Sequence, residues 1–193
     1  MLASPVWAND TLLSDLQRRA GGISTISCSF TQEKHLSLFD EVLLSEGKFI
    51  FERPSRLRWE YKSPFKSGFM LKDDSGIEWD EASGSQRPFT LQSSPAMSMV
   101  ASQIMAWTTF DIPWLKSRYE IKQLSATPIT LELRPLSDTA KKFLTRLVVS
   151  FSKDHNTVSV IELHEIDGDF TRIIFKNTQI NTVIPESTFT SVR

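Results

Sequence analysis

The sequence is short of the residues that usually organise chemistry. Among 193 residues there is one cysteine, Cys28, so no internal disulfide and no cysteine-based metal framework can form. There are three histidines, His35, His155 and His164. No two have metal-ligand spacing, and H-E-x-x-H is missing. The seven glycines fall in no phosphate-cradling pattern, which argues against a nucleotide site. No G-x-S-x-G elbow occurs. Neither sign of charge dominates: 22 basic and 23 acidic residues leave a net charge of -1, and no block of one sign occurs, which argues against a nucleic-acid partner. No apolar run approaches the roughly 20 residues of a membrane span.

What is present is apolar and aromatic. Hydrophobic residues make up 40% of the chain, with 13 phenylalanines and 5 tryptophans, too many for disorder. Val6-Trp7-Ala8 fits the small-x-small pattern of a signal-peptidase site. Residues 1–8 are therefore expected to be a signal-peptide remnant or disordered, and 9–193 to form a single domain.

One helix opens that domain. Asn9 or Asp10 can cap it, Leu12, Leu13, Leu16 and Ala20 form one stripe, and Gly21-Gly22 ends it. From residue 26 the period becomes two: Ile26, Cys28, Phe30 and Gln32 alternate with small polar residues. Strands are expected at 43–53, 56–62, 67–73, 76–82 and 86–91, separated by turn chemistry such as Asp73-Asp74-Ser75-Gly76. Short loops imply antiparallel pairing. Alternation fails at Ser94-Pro95, a good helix start, after which Met97, Val100, Ala101, Ile104 and Met105 recur at helical spacing. A second short helix near Pro113 can include Trp114 and Leu115. Strands resume at 119–125, 129–135, 144–152, 157–166 and 170–179, with turns at Asp154-His155-Asn156 and Asp167-Gly168-Asp169. The ending, with Pro185 and Phe189, reads as an irregular arm with a last short strand. The fold class is mainly β with an α lid (α+β): a curved antiparallel sheet of about ten or eleven strands, an N-terminal helix and a central helical lid.

Two further features read as structural. The acidic residues Asp73, Asp74, Glu78, Asp80 and Glu81 lack calcium-loop spacing and suit solvated strand ends. Cys28 lies in an apolar row, the setting of a buried, inert thiol. No catalytic constellation emerges, so the chain is expected not to be an enzyme, although a hydrolase built on a spatial triad, near His35 or His164, is the alternative from another class. No cofactor or metal is called for.

The stretch GKFIFERPSRLRWEYKSP, residues 47–64, carries the most information. Phe49 and Phe51 share a face that then receives Arg53; beyond the turn, Leu57, Trp59 and Tyr61 share a face again. With the leading helix, Phe30-Thr31-Gln32, Arg53-Pro54, Arg58 to Tyr61, Pro64 and the hairpin from Asp74 to Trp79, the chain resembles the LolA-type periplasmic lipoprotein carriers from about residue 10 to 190. The resemblance implies an incomplete antiparallel β-barrel closed by a helical lid. It implies a soluble periplasmic chaperone, exported by a signal peptide and expected to act as a monomer. Its partners would be acylated lipoprotein or lipid cargo, an inner-membrane ATP-driven release complex and an outer-membrane receptor. Phe49, Phe51, Trp59 and Tyr61 would face the acyl cavity. Met97, Val100, Ile104 and Met105 would face it from the lid. Arg53 would latch the lid in the empty form by bonding its backbone, as the matching arginine does in the family. The C-terminal extension of some carriers is expected to be absent or reduced here, which bears on delivery to the usual receptor. A paralogous carrier of another lipid or hydrophobic export product, and a module sensing mislocalised lipoproteins, share this fold.

Overall fold

The computed structural model describes residues 6–7, 10–154 and 156–192; the expected roles of Asn9 as a cap and His155 as a turn residue lie outside them. The chain is mostly β, and the described residues form twelve strands counting the two-residue β1, Val6–Trp7. The others are β2 (Thr25–His35), β3 (Leu43–Glu52), β4 (Arg56–Ser63), β5 (Ser67–Lys72), β6 (Ser75–Asp80), β7 (Ser85–Thr90), β8 (Tyr119–Ala126), β9 (Ile129–Pro135), β10 (Leu144–Phe151), β11 (Val158–Glu165) and β12 (Phe170–Ile180). Helices are α1 (Asp10–Gly21), α2 (Pro95–Thr109), α3 (Ile112–Arg118) and the one-turn α4 (Asp138–Lys141). The sheet is antiparallel and does not close into a barrel: β1 and β7 are its two ends. The expected leading helix, central helices and mainly β class are all present.

The chain divides into two compact units. Unit 1 is Met1–Gly22, Gln32–Leu43 and Ala106–Ile174; unit 2 is Ile23–Thr31, Leu44–Met105 and Phe175–Arg193. Strands β2 and β12 contribute one half to each.

In unit 1 the strand order is β1-β8-β9-β10-β11, then the first half of β12 and the second half of β2. Period two buries Ile129, Leu131 and Leu133 on β9 against Leu147 and Val149 on β10, with Leu133↔Leu147 and Leu131↔Val149 in register. Ile161 and Ile173 continue the row. Helix α1 adds Leu13, Leu16 and Ala20, three of the four stripe residues expected. Asp111 caps α3 by accepting the Trp114 amide at 3.0 Å, so Pro113 sits in the first turn, where its missing N–H costs no hydrogen bond.

In unit 2 the order is the second half of β12, the first half of β2, then β3-β4-β5-β6-β7. Phe49↔Trp59 and Phe51↔Leu57 pair across β3 and β4, and Trp59↔Phe69 and Leu57↔Leu71 across β4 and β5. Ile26, Cys28 and Phe30 are buried on β2. Gly47 lies beneath the Phe30 ring, whose atoms come within 2.4 Å of where a Cβ would stand; a side chain there would displace the ring. The expected last strand is replaced by a 3-10 turn, Glu186–Phe189. Tight local bonds, such as the Thr188 amide on Pro185 O at 2.9 Å, take the place of a ladder there.

Candidate functional site

All nine residues singled out in the sequence belong to unit 2, and they fall into three groups. The first is aromatic. Phe49 and Trp59 are buried, Tyr61 half-buried. They pack with two residues that were not singled out, Phe30 and Phe175. Ring centroids are 4.5 Å apart for Phe30–Trp59, 5.4 Å for Phe30–Tyr61, 5.7 Å for Phe49–Trp59, 6.0 Å for Phe49–Phe175 and 6.2 Å for Trp59–Phe175. These are the tilted and edge-on arrangements that ring quadrupoles favour. Phe30 was legible as the first residue of Phe-x-Gln. Phe175 has the parity of the buried Ile173 on β12, the only sequence signal it offers. Phe51 is buried on the same face of β3, opposite Leu57.

The second group is on α2, PAMSMVASQIMAWTT, which holds no charged residue. Ala101 and Ile104 are buried, Met97 and Met105 half-buried, Val100 and Met99 exposed. The stripe expected to face inward is therefore split: Ile104 is covered, whereas Val100 is 42% exposed.

The third is Arg53, half-buried just past β3. Its Nε donates to the Ile23 carbonyl at 2.6 Å, and its amide to Ser24 O at 2.9 Å, fixing the end of β3 to the segment after α1.

Cys28 is buried as expected, and burial pushes its thiol up to about 12, so it is not a nucleophile at neutral pH. Of the acidic residues, Asp73 accepts the Ser55 hydroxyl at 2.9 Å, Asp80 accepts the Ser83 amide at 3.1 Å and Glu81 accepts Lys66 at 3.3 Å. Among the described residues no group of three or more His, Cys, Asp or Glu is gathered to hold a metal ion. Nor, among the described residues, is any helix long and apolar enough to cross a membrane.

The other face of β4 holds what sequence reasoning missed. Arg58, on the opposite parity from Trp59, is only 6% exposed. Its Nε donates to Glu60 at 3.0 Å, its Nη1 to the carbonyls of Thr188 and Ser191, both at 2.9 Å, and its guanidinium stands 4.9 Å from the Trp79 ring centre. Beside it, Glu186 accepts Lys72 at 2.6 Å and Arg56 at 2.7 Å; the Lys72 ammonium first, then Arg56, holds its carboxyl below the usual range. Phe189 is buried at 3% exposure. A cavity of about 480 Å³ adjoins this segment, lined among others by Met70, Ile77, Pro88, Phe89 and Phe189. None of the nine residues singled out lines it. Arg58 was present in the quoted R-W-x-Y motif, but its partners are carbonyls 130 residues away, which no local pattern announces.

Comparison with known proteins accords with this architecture. An uncharacterized conserved protein from Thermus thermophilus superposes with a TM-score of 0.60 at 6% identity, over 93% of this chain and 93% of that one. A chain of the Pseudomonas aeruginosa MucA/MucB complex gives 0.55 at 13% identity over 93% of this chain; this chain spans 61% of its length. At such identities the likeness is one of fold. No curated protein matches the sequence. The family model for the outer membrane lipoprotein carrier protein LolA matches residues 21–192, nearly the whole of both units, and the chain therefore belongs to the LolA family.

Proposed function

We propose that this protein is a soluble periplasmic carrier, exported by a signal peptide, that shelters the acyl chains of lipoproteins and moves them from the inner to the outer membrane without catalysing a reaction. The observation that carries the reading is the family match over residues 21–192. Two features support it: an aromatic cluster in unit 2 and helix α2. The cluster supplies a broad apolar wall, and each buried methylene of a guest is worth roughly 0.8 kcal/mol. Helix α2, methionine-bearing and uncharged, has the adaptable side chains that guests of varied length require.

In this reading Phe49, Phe51, Trp59 and Tyr61 form the wall, and Met97, Val100, Ile104 and Met105 the movable cover. Arg53 is the latch that holds the cover in the empty form. A charge-assisted hydrogen bond of about 1.5–3 kcal/mol is small enough to be broken when cargo enters. An ATP-driven release complex loads the carrier and an outer-membrane receptor unloads it.

A fluorescent fatty-acyl probe titrated into the purified full chain is the direct test, with mass spectrometry of whatever copurifies to name the cargo. Saturable binding that Trp59→Ser weakens, and Arg53→Leu slowing release, are expected. Absence of probe binding at micromolar concentration would sink the proposal. A copurifying glycolipid or pigment in place of lipoprotein would retain the carrier and replace its cargo.

A further inference from the structure

At one end of unit 1, three chain connections emerge side by side, and each displays apolar side chains to solvent. Strands β10, β11, β12 and β2 are successive neighbours there. Antiparallel register puts the start of β10 beside the end of β11 (Leu144↔Glu165), and the end of β11 beside the start of β12 (His164↔Phe170). The Ser37 amide, just past β2, donates to Asp169 Oδ1 at 2.7 Å, which ties the β2–β3 connection to the β11–β12 turn. With strands about 4.8 Å apart, the three connections share a strip roughly 15 Å wide.

On that strip Leu38 is 89% exposed, Phe39 66%, Ile166 64% and Phe143 70%, with Val42 and Leu43 flanking them at 40% and 54%. Isolated exposed apolar residues are ordinary; a group gathered from three separate connections marks an interaction surface. The base beneath is firm. His35 stacks on Phe170 at 4.0 Å between ring centres, and His164 stacks on the same ring at 5.4 Å. Thr145 Oγ1 donates to His164 O at 2.9 Å. The tips are thus held outward by a packed foundation.

The shape of the patch selects its partner. The side chains project from three separate connections, which also carry charged residues of both signs: Asp40, Glu41, Asp138, Asp167 and Asp169 against Lys141 and Lys142. A protein partner would have to supply a matching set of separate pockets. The interface of a bilayer accepts such tips as they are, leaving turn backbone and charges among the headgroups while the side chains enter the acyl boundary. The mixed charge provides no net attraction to an anionic surface. We propose that this end of unit 1 docks on zwitterionic phospholipid bilayers by inserting Leu38, Phe39, Phe143 and Ile166. The inference stands on exposure and register in unit 1 and does not rest on the carrier reading, whose residues are in unit 2.

The test is flotation of the full chain with protein-free vesicles of phosphatidylcholine and phosphatidylethanolamine. The wild-type chain should float, and high salt should not release it. Leu38→Ser with Phe39→Ser, substitutions at exposed positions checked by circular dichroism for an unchanged fold, should lower partitioning about tenfold or more. Ile166→Ser should lower it less. Phe39→Trp, read as a difference spectrum against the parent, should shift to the blue with vesicles and be quenched by brominated acyl chains. Several results would overturn the proposal: no flotation of the wild type, equal flotation of the double variant, release by salt, or binding to native membranes but not to protein-free vesicles, which would assign the patch to a membrane protein. Self-association abolished by the same substitutions, with no vesicle binding, would assign it to a second copy of the chain.

Discussion

In unit 1 the strand face turned away from the buried aliphatic row carries a ladder of charges; in unit 2 the corresponding face carries Met70, Trp79 and Arg58, and the chain's own C-terminal segment covers it. Each face contains one nearly buried ion. Glu132, 4% exposed on β9, accepts Arg134 Nε at 2.8 Å and Arg146 Nη1 at 3.4 Å. Its partners come from its own strand and the adjacent one, and both reach solvent. Arg58 instead takes two of its acceptors from the backbone at Thr188 and Ser191. Burial of a charge is tolerated only when its hydrogen bonds are made. In unit 1 the sheet makes them by itself. In unit 2 they require a segment that returns from far along the chain, so one guanidinium ties the arm to the sheet.

That difference can be broken at several points. The largest effect is expected from Arg58→Ala, which strands two carbonyls and Glu60: a loss of about 3–5 kcal/mol in chemical denaturation, with the arm becoming an early target of limited proteolysis. Phe189→Ala removes the apolar half of the same contact and should cost about 3 kcal/mol, again with proteolysis near the arm and not in unit 1. Glu132→Gln tests the other face. Its partners can rehydrate and the amide still accepts, so a cost of about 1–2 kcal/mol and no new cleavage site are expected. Equal losses for Arg58→Ala and Glu132→Gln would erase the distinction between the faces. The smallest effect is a pH dependence. Because Lys72 and Arg56 depress the folded-state pKa of Glu186, its contribution is complete above the ordinary carboxylate pKa of about 4.3 and is lost as pH falls through the folded value. Proteolysis of the arm should rise on acidification below about pH 4, and Glu186→Gln should flatten that rise.

How much of this was legible beforehand follows from the range of each interaction. Apart from the two-residue β1, which was not expected, strand positions came out within one or two residues, for instance β9 at Ile129–Pro135, because period two and turn residues are local signals. The aromatic row of β3 and β4 was legible for the same reason. Arg58 was not, since parity alone places it on a face that in most sheets is solvated, as it is around Arg134. What changes its role is Phe189, and no periodicity links residues 58 and 189. The helix α4 and the 3-10 turn at Glu186–Phe189 were missed because each is a single turn of four residues, too short for a helical period to repeat. The exposure of Val100 beside the burial of Ile104 likewise depends on what α2 packs against, which helical spacing does not state.

A sheet that stays open must end somewhere, and β7 ends it with the sequence Ser-Gln-Arg-Pro-Phe-Thr. Gln86, Arg87 and Pro88 are all exposed. Pro88 has no N–H to give a newcomer, and the guanidinium of Arg87 resists stacking on its own kind. The boundary of the hydrogen-bonded array is thus a poor template for further growth, and a protein rich in phenylalanine gains resistance to fibrillar stacking from three residues at its rim.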